Sequence, residues 1–245
     1  MSEYPIIVGD RPAELQALQI LALSLTEAAS RLSPKRLDKI PEIIPPEVVA
    51  APLLIAAARA LSLGCCVGLD TPIEILALSA RNTFELWLRL THILESDRNL
   101  QSWRNEAFTD QFQVYDAILS LQGPEEVKDV IRGEIERVKQ QAAVRGLAPG
   151  TKLLRMPDLA KAAKCEEEYE AFYKLYSKLV HPSAWFVNMP NAGSSEMYRM
   201  TLIVNAQVYG WHILKIVEDK FGVSSNQCHQ AASAQFQVPK STVVH

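Results

Sequence analysis

Two groups of side chains in the 245-residue sequence are spaced for chemistry. Arg81, Glu85 and His92 fall within about 40° of one another on a helical wheel of ~100° per residue, and Glu74 shares that stripe. An Arg–Glu pair one turn apart on a solvated face contributes only about 0.2–0.5 kcal/mol. Here both flanks of the stripe are apolar, so it is expected to face a neighbouring helix, where an Arg and a Glu need partners. The second group is Tyr173-Lys-Leu-Tyr176-Ser177-Lys-Leu-Val-His181-Pro182. Tyr173, Ser177 and His181 recur one turn apart on one face. His181 is expected to end its helix, where the negative end of the dipole favours imidazolium. That suits an acid, or a cation facing a phosphate or carboxylate. The plainer readings are a mid-helix hydroxyl bonding back to a carbonyl and a C-terminal histidine cap.

Arg81-Asn-Thr-Phe-Glu85, inside an apolar helix, resembles the Arg-x3-Glu helix of a broad bacterial family of unknown function. Tyr173-x2-Tyr176-Ser177-x3-His181-Pro182-Ser183 resembles that family's second signature, and a loop and a long closing helix follow in the same order. The resemblance covers roughly residues 70 to 220. That family in turn resembles the HEPN (higher eukaryotes and prokaryotes nucleotide-binding) helical bundles. The resemblance implies a metal-independent ribonuclease or RNA-binding toxin or defence protein, with no cofactor. It also implies a homodimer, and RNA and an antitoxin or other partner protein as partners. The HEPN hallmark, Arg followed after four to six residues by His, is absent: Arg89 precedes His92 by only three. Arg81 and His181 would therefore have to meet from two helices. In the implied chemistry His181 is acid or base and Arg81 clamps the phosphate. Glu85 orients Arg81 or acts as base, and Ser177 and Tyr173 donate hydrogen bonds. The alternative is a non-catalytic helical interaction module whose same residues form a buried polar network that fixes helix register.

Charge is read by segment, because the net charge of −3 argues against a polycation. Between Arg137 and Lys164 lie seven basic residues and a single acid, Asp158. Lys152 and Arg155 are the residues expected to face a phosphate there. Metal binding is disfavoured: His92 and Glu95 form one i,i+3 pair, but the Glu-x-x-His pattern is not repeated on a second helix.

The elements that must carry these residues are helices. Leu and Ala together make up 57 residues against 10 Gly, which favours helix. Helices are expected over 12–32, 46–63, 71–96, 98–121, 124–145, a short segment from 158, 166–181 and 195–221, with 182–194 a loop. Thr71-Pro72-Ile73-Glu74 reads as a capping box. The apolar run 48–69 carries one charge, Arg59, and Pro52 interrupts it, so a core helix is expected rather than a membrane span. Cys65, Cys66, Cys165 and Cys228 lack zinc-ribbon spacing. With no basic n-region at the N-terminus, the expectation is free thiols in the cytoplasm. The expected architecture is all-α: an antiparallel, HEPN-like bundle of about seven to eight helices. Residues 1–221 would form a single helical domain and residues 222–245 a disordered tail.

Overall fold

In a computed structural model, which describes residues 5–33, 45–148, 154–189, 191 and 193–236, the chain is all-α. Those residues form ten α-helices and one 3-10 turn, with no strand among them. The chain divides into two compact units, Met1–Thr91 with Met156–His245, and His92–Arg155.

The first unit is built round α9 (Glu196–Phe221), which starts at the Ser195 cap and stops at Gly222, left-handed at φ 70°. Twelve of its residues are buried, and they recur on every side of the helix, which marks a central strut. At Gly210 the backbone touches its neighbours: an added Cβ would collide with Leu21 and sit 3.3 Å from Leu61. That point joins α9 to α1 (Arg11–Leu32) and α2 (Pro46–Leu63). Arg11 pairs with Glu196 near the start of both helices, so α1 and α9 run parallel. Cys65 Sγ lies 3.6 Å from the Leu15 carbonyl while Leu61 lies near Leu21, so α2 runs back along α1.

By length and composition α2 could cross a membrane. Eight of its residues are buried, and Pro52, inside the helix, is exposed.

After the 3-10 turn Gly68–Asp70 comes α3 (Ile73–Glu95). Phe84 on α3 is fully buried, its ring centroid 4.6 Å from that of Tyr209 on α9. Trp87 sits 5.6 Å from His212, so α3 also runs parallel to α9. The short α6 (Met156–Ala162) leads into α7 (Glu166–Val180). Asn205 donates to Tyr176 and Tyr209 donates to Glu168, both at 3.0 Å, which sets α7 antiparallel to α9.

Two expectations about irregular segments are corrected. The 182–194 stretch contains a one-turn helix, α8 (Ala184–Asn188), because Ser183 accepts from the Phe186 amide at 3.2 Å. In the expected disordered tail, residues 225–236 form α10 (Ser225–Phe236). Ser225, Cys228 and Ala232 are buried on one face of α10, and Gln227 accepts from Arg31 of α1 at 3.0 Å. Small side chains allow close packing that a search for large apolar residues does not reveal. The rest of that expected tail, 237–245, lies outside the described residues.

The second unit is a helical hairpin, α4 (Asp97–Leu119) and α5 (Glu125–Val144), turned by Gly123-Pro124. Phe108, Val138, Ala142 and Leu147 form its core, with Phe112 and Tyr115 against it. Val114, Ile118, Leu121, Val127 and Val130, toward the turn, are exposed.

Candidate functional site

The stripe on α3 does face a neighbouring helix. Arg81 Nε donates to Glu85 Oε1 at 2.8 Å, and Nη2 donates to the Tyr173 hydroxyl on α7 at 2.7 Å. The guanidinium carbon also lies 4.8 Å from the Tyr173 ring centroid, within cation–π range. Tyr169, one turn earlier on α7, stacks on Tyr173 with centroids 4.7 Å apart. The Arg81 and Glu85 side chains keep 21% and 23% exposure, so the pair is partly covered.

The electrostatics follow from this packing. Burial works to lower the Arg81 guanidinium, but the Glu85 hydrogen bond and charge, helped by Tyr173 and Tyr169, outweigh it and raise it above its ordinary value. Burial, with the neighbouring Tyr173 and Glu85, pushes the Tyr169 phenol up against the opposing charge of Arg81. Deeper in the unit, burial raises the Tyr176 and Tyr209 phenols as well. For Tyr209 the Glu168 carboxylate adds to the effect. These groups hold protons rather than trade them near neutral pH.

The expected convergence is partial. Arg81, Glu85 and Tyr173 come together. Among the described residues, no hydrogen bond or ion pair joins Ser177 or His181 to Arg81 or Glu85. The reason is direction: α3 and α7 run antiparallel, so Glu85, one turn beyond Arg81, meets the Tyr169 end of α7. His181 lies eight residues past Tyr173, about 12 Å along the axis at ~1.5 Å per residue. Ser177 is half-buried, and its carbonyl accepts from the His181 amide at 3.2 Å. The His181 side chain is exposed at the helix end. Arg155 is exposed just before α6, and Lys152 lies outside the described residues. Within the basic segment, Arg137 pairs with Glu134 and Lys139 with Glu136 on the hairpin surface.

Sequence reasoning missed two features. Tyr169 completes the Arg81 cluster, and its i−4 spacing from Tyr173 was the available signal. A cleft of about 460 Å³ also opens between α2 and α3, where Arg59, Asn82, Glu85 and Arg89 face Ala56, Ala60, Leu63 and Leu86. No group of three or more His, Cys, Asp or Glu side chains capable of holding a metal ion occurs among the described residues. No protein-family model, curated protein or solved structure matches the chain.

Proposed function

We propose that this chain is a non-catalytic helical interaction module, with Arg81, Glu85, Tyr169 and Tyr173 as a polar clasp that fixes the register of α3 against α7. The observation that carries this reading is the engagement of Arg81. Its Nε is taken by Glu85, its Nη2 by Tyr173, and its side chain is largely covered. These bonds occupy the Nε–Nη2 edge, one of the two edges by which a guanidinium grips a phosphate in paired bonds. The exposed apolar side chains toward the turn of the α4–α5 hairpin are where a protein partner, a second copy of the chain first, would seat. The HEPN-like ribonuclease reading leaves Arg81 only its Nη1–Nη2 edge for a phosphate and requires His181 to act without a bond to Arg81.

One set of variants separates the readings. Arg81→Met is expected to lower stability by about 1–3 kcal/mol by leaving Glu85 and Tyr173 unmatched. His181→Ala is expected to leave stability nearly unchanged, and wild type to leave single-stranded RNA intact. RNA cleavage that disappears in His181→Ala would reverse the conclusion. For the partner, Leu121→Asp with Val130→Asp is expected to shift sedimentation from dimer to monomer without altering the circular dichroism.

A further inference from the structure

A second polar site lies in the first unit, away from the Arg81 cluster and independent of how that cluster is read. Arg199, in the first turn of α9, is 7% exposed. Its Nη1 makes one long bond, 3.4 Å, to the Thr71 carbonyl. Its Nε and Nη2 are buried without a hydrogen-bond partner. A guanidinium carries five N–H donors, and Nε with Nη2 forms the edge that grips an oxyanion in two parallel bonds. A buried cation with that edge unmatched is costly unless something negative completes it.

The surroundings fit an anion. Arg199 lines a pocket of about 270 Å³ with Arg11, Thr71, Pro72, Ile73, Ser194 and Ser195. The pocket lies at the N-termini of two long helices, α3 and α9. The first amides of a helix have no partner within it and point at whatever sits in front of them. At α3 the Thr71 hydroxyl donates back to the Gly68 carbonyl at 2.7 Å, and among the described residues no α3 amide donates to that hydroxyl, so the expected capping box is not closed. Two carboxylates border the pocket. Glu196 pairs with Arg11 and also feels the charge of Arg199, without a hydrogen bond to its Nε or Nη2, and Asp70 is exposed. The volume falls below the ~300–1,000 Å³ typical of sites for drug-sized ligands.

We propose that this pocket is a binding site for a phosphate-class oxyanion, with the Arg199 guanidinium as its counter-charge and the amides that open α3 and α9 in front of it. The occupant is free phosphate or the terminal group of a small phosphomonoester. The test uses the full chain and calorimetric titration with inorganic phosphate and, separately, glycerol phosphate, against chloride at matched ionic strength. Wild type is expected to bind phosphate saturably, with a Kd of about 1 mM or tighter. Tighter binding of glycerol phosphate assigns the site to a phosphomonoester, and tighter binding of phosphate assigns it to the free ion. Arg199→Gln is expected to weaken binding at least tenfold. Ser194→Asp, a change at an exposed residue on the pocket wall, is expected to do the same without touching the core, and decides the matter if Arg199→Gln fails to fold. Absence of saturable binding to wild type, or undiminished binding in Ser194→Asp, overturns the proposal.

Discussion

At the scale of single residues, burial decides what each reactive group can do. The Cys65 thiol is pushed up to about 12, first by burial and then by Cys66, and lies 3.6 Å from the Leu15 and Leu61 carbonyls. Burial likewise lifts Cys165, to about 11, and Cys228. Cys66 is exposed. Because only the thiolate attacks, iodoacetamide at mild pH is expected to label Cys66 quickly and the other three slowly, as read by peptide mass. The histidines act in the same way on stability. Burial lowers His212, against an upward pull from Glu168, and burial also lowers His229. A lowered imidazole stays neutral when folded and charges on unfolding. The unfolded chain therefore binds more protons below the ordinary value of 6.5, and stability present above that pH is lost as pH falls through the folded values. The melting temperature is expected to fall below pH 6.5, and His212→Gln should flatten the slope. Arg81 and Glu85 were legible as a pair because their spacing is local, and Tyr173 was named with them from the second motif. That Tyr169 rather than Ser177 or His181 lies beside them depends on the direction in which a second helix crosses, which no helical wheel contains.

At the scale of elements, the helices with Leu, Ala or aromatic stripes could be read from the chain, including the alanine-rich α2 over 46–63, and α10 could not. Period and punctuation located α1, α3, α7 and α9 to within a few residues, because Leu, Phe and Trp recur each turn and Pro or Gly ends the run. Helix α10 escaped because its buried face is Ser225, Cys228 and Ala232, which carry little hydrophobic signal. The structure ties it down by other means: Ser225 donates to Glu218 at 2.8 Å, and His229 lies 5.1 Å from Trp211. Ending the chain at Gly222 is therefore expected to lower the melting temperature measurably, by about 2–4 °C for each kcal/mol lost in a chain of this size. An unchanged melting temperature would mean that α10 adds nothing to the first unit. The Thr71 box is a second instructive miss. Its residue types were right, but the Thr71 hydroxyl is turned to donate to the Gly68 carbonyl of the preceding 3-10 turn, and no α3 amide bonds to it among the described residues.

At the scale of the whole molecule, the two units differ in how much each helix hides. Helix α9 buries twelve residues, whereas α5 buries only Val138 and Ala142. Amide exchange is expected to be slowest along α9 and considerably faster along α4 and α5, since local opening follows the number of buried apolar contacts. Equal protection in both would show that the hairpin is stabilised by something beyond its own small core.

The central position of α9 also sets a timetable. Its last residue is Phe221, whereas the apolar α2, which packs against it, ends at Leu63. At ~5–20 residues per second, α2 leaves the ribosome roughly 8–30 s before the helix that completes its core. During that interval its run of Ala, Leu and Ile lacks the central helix that packs against it at Leu61. Stalled nascent chains ending before α9 are therefore expected to be captured by general chaperones and cut readily by protease. Chains released past Phe221 should resist both.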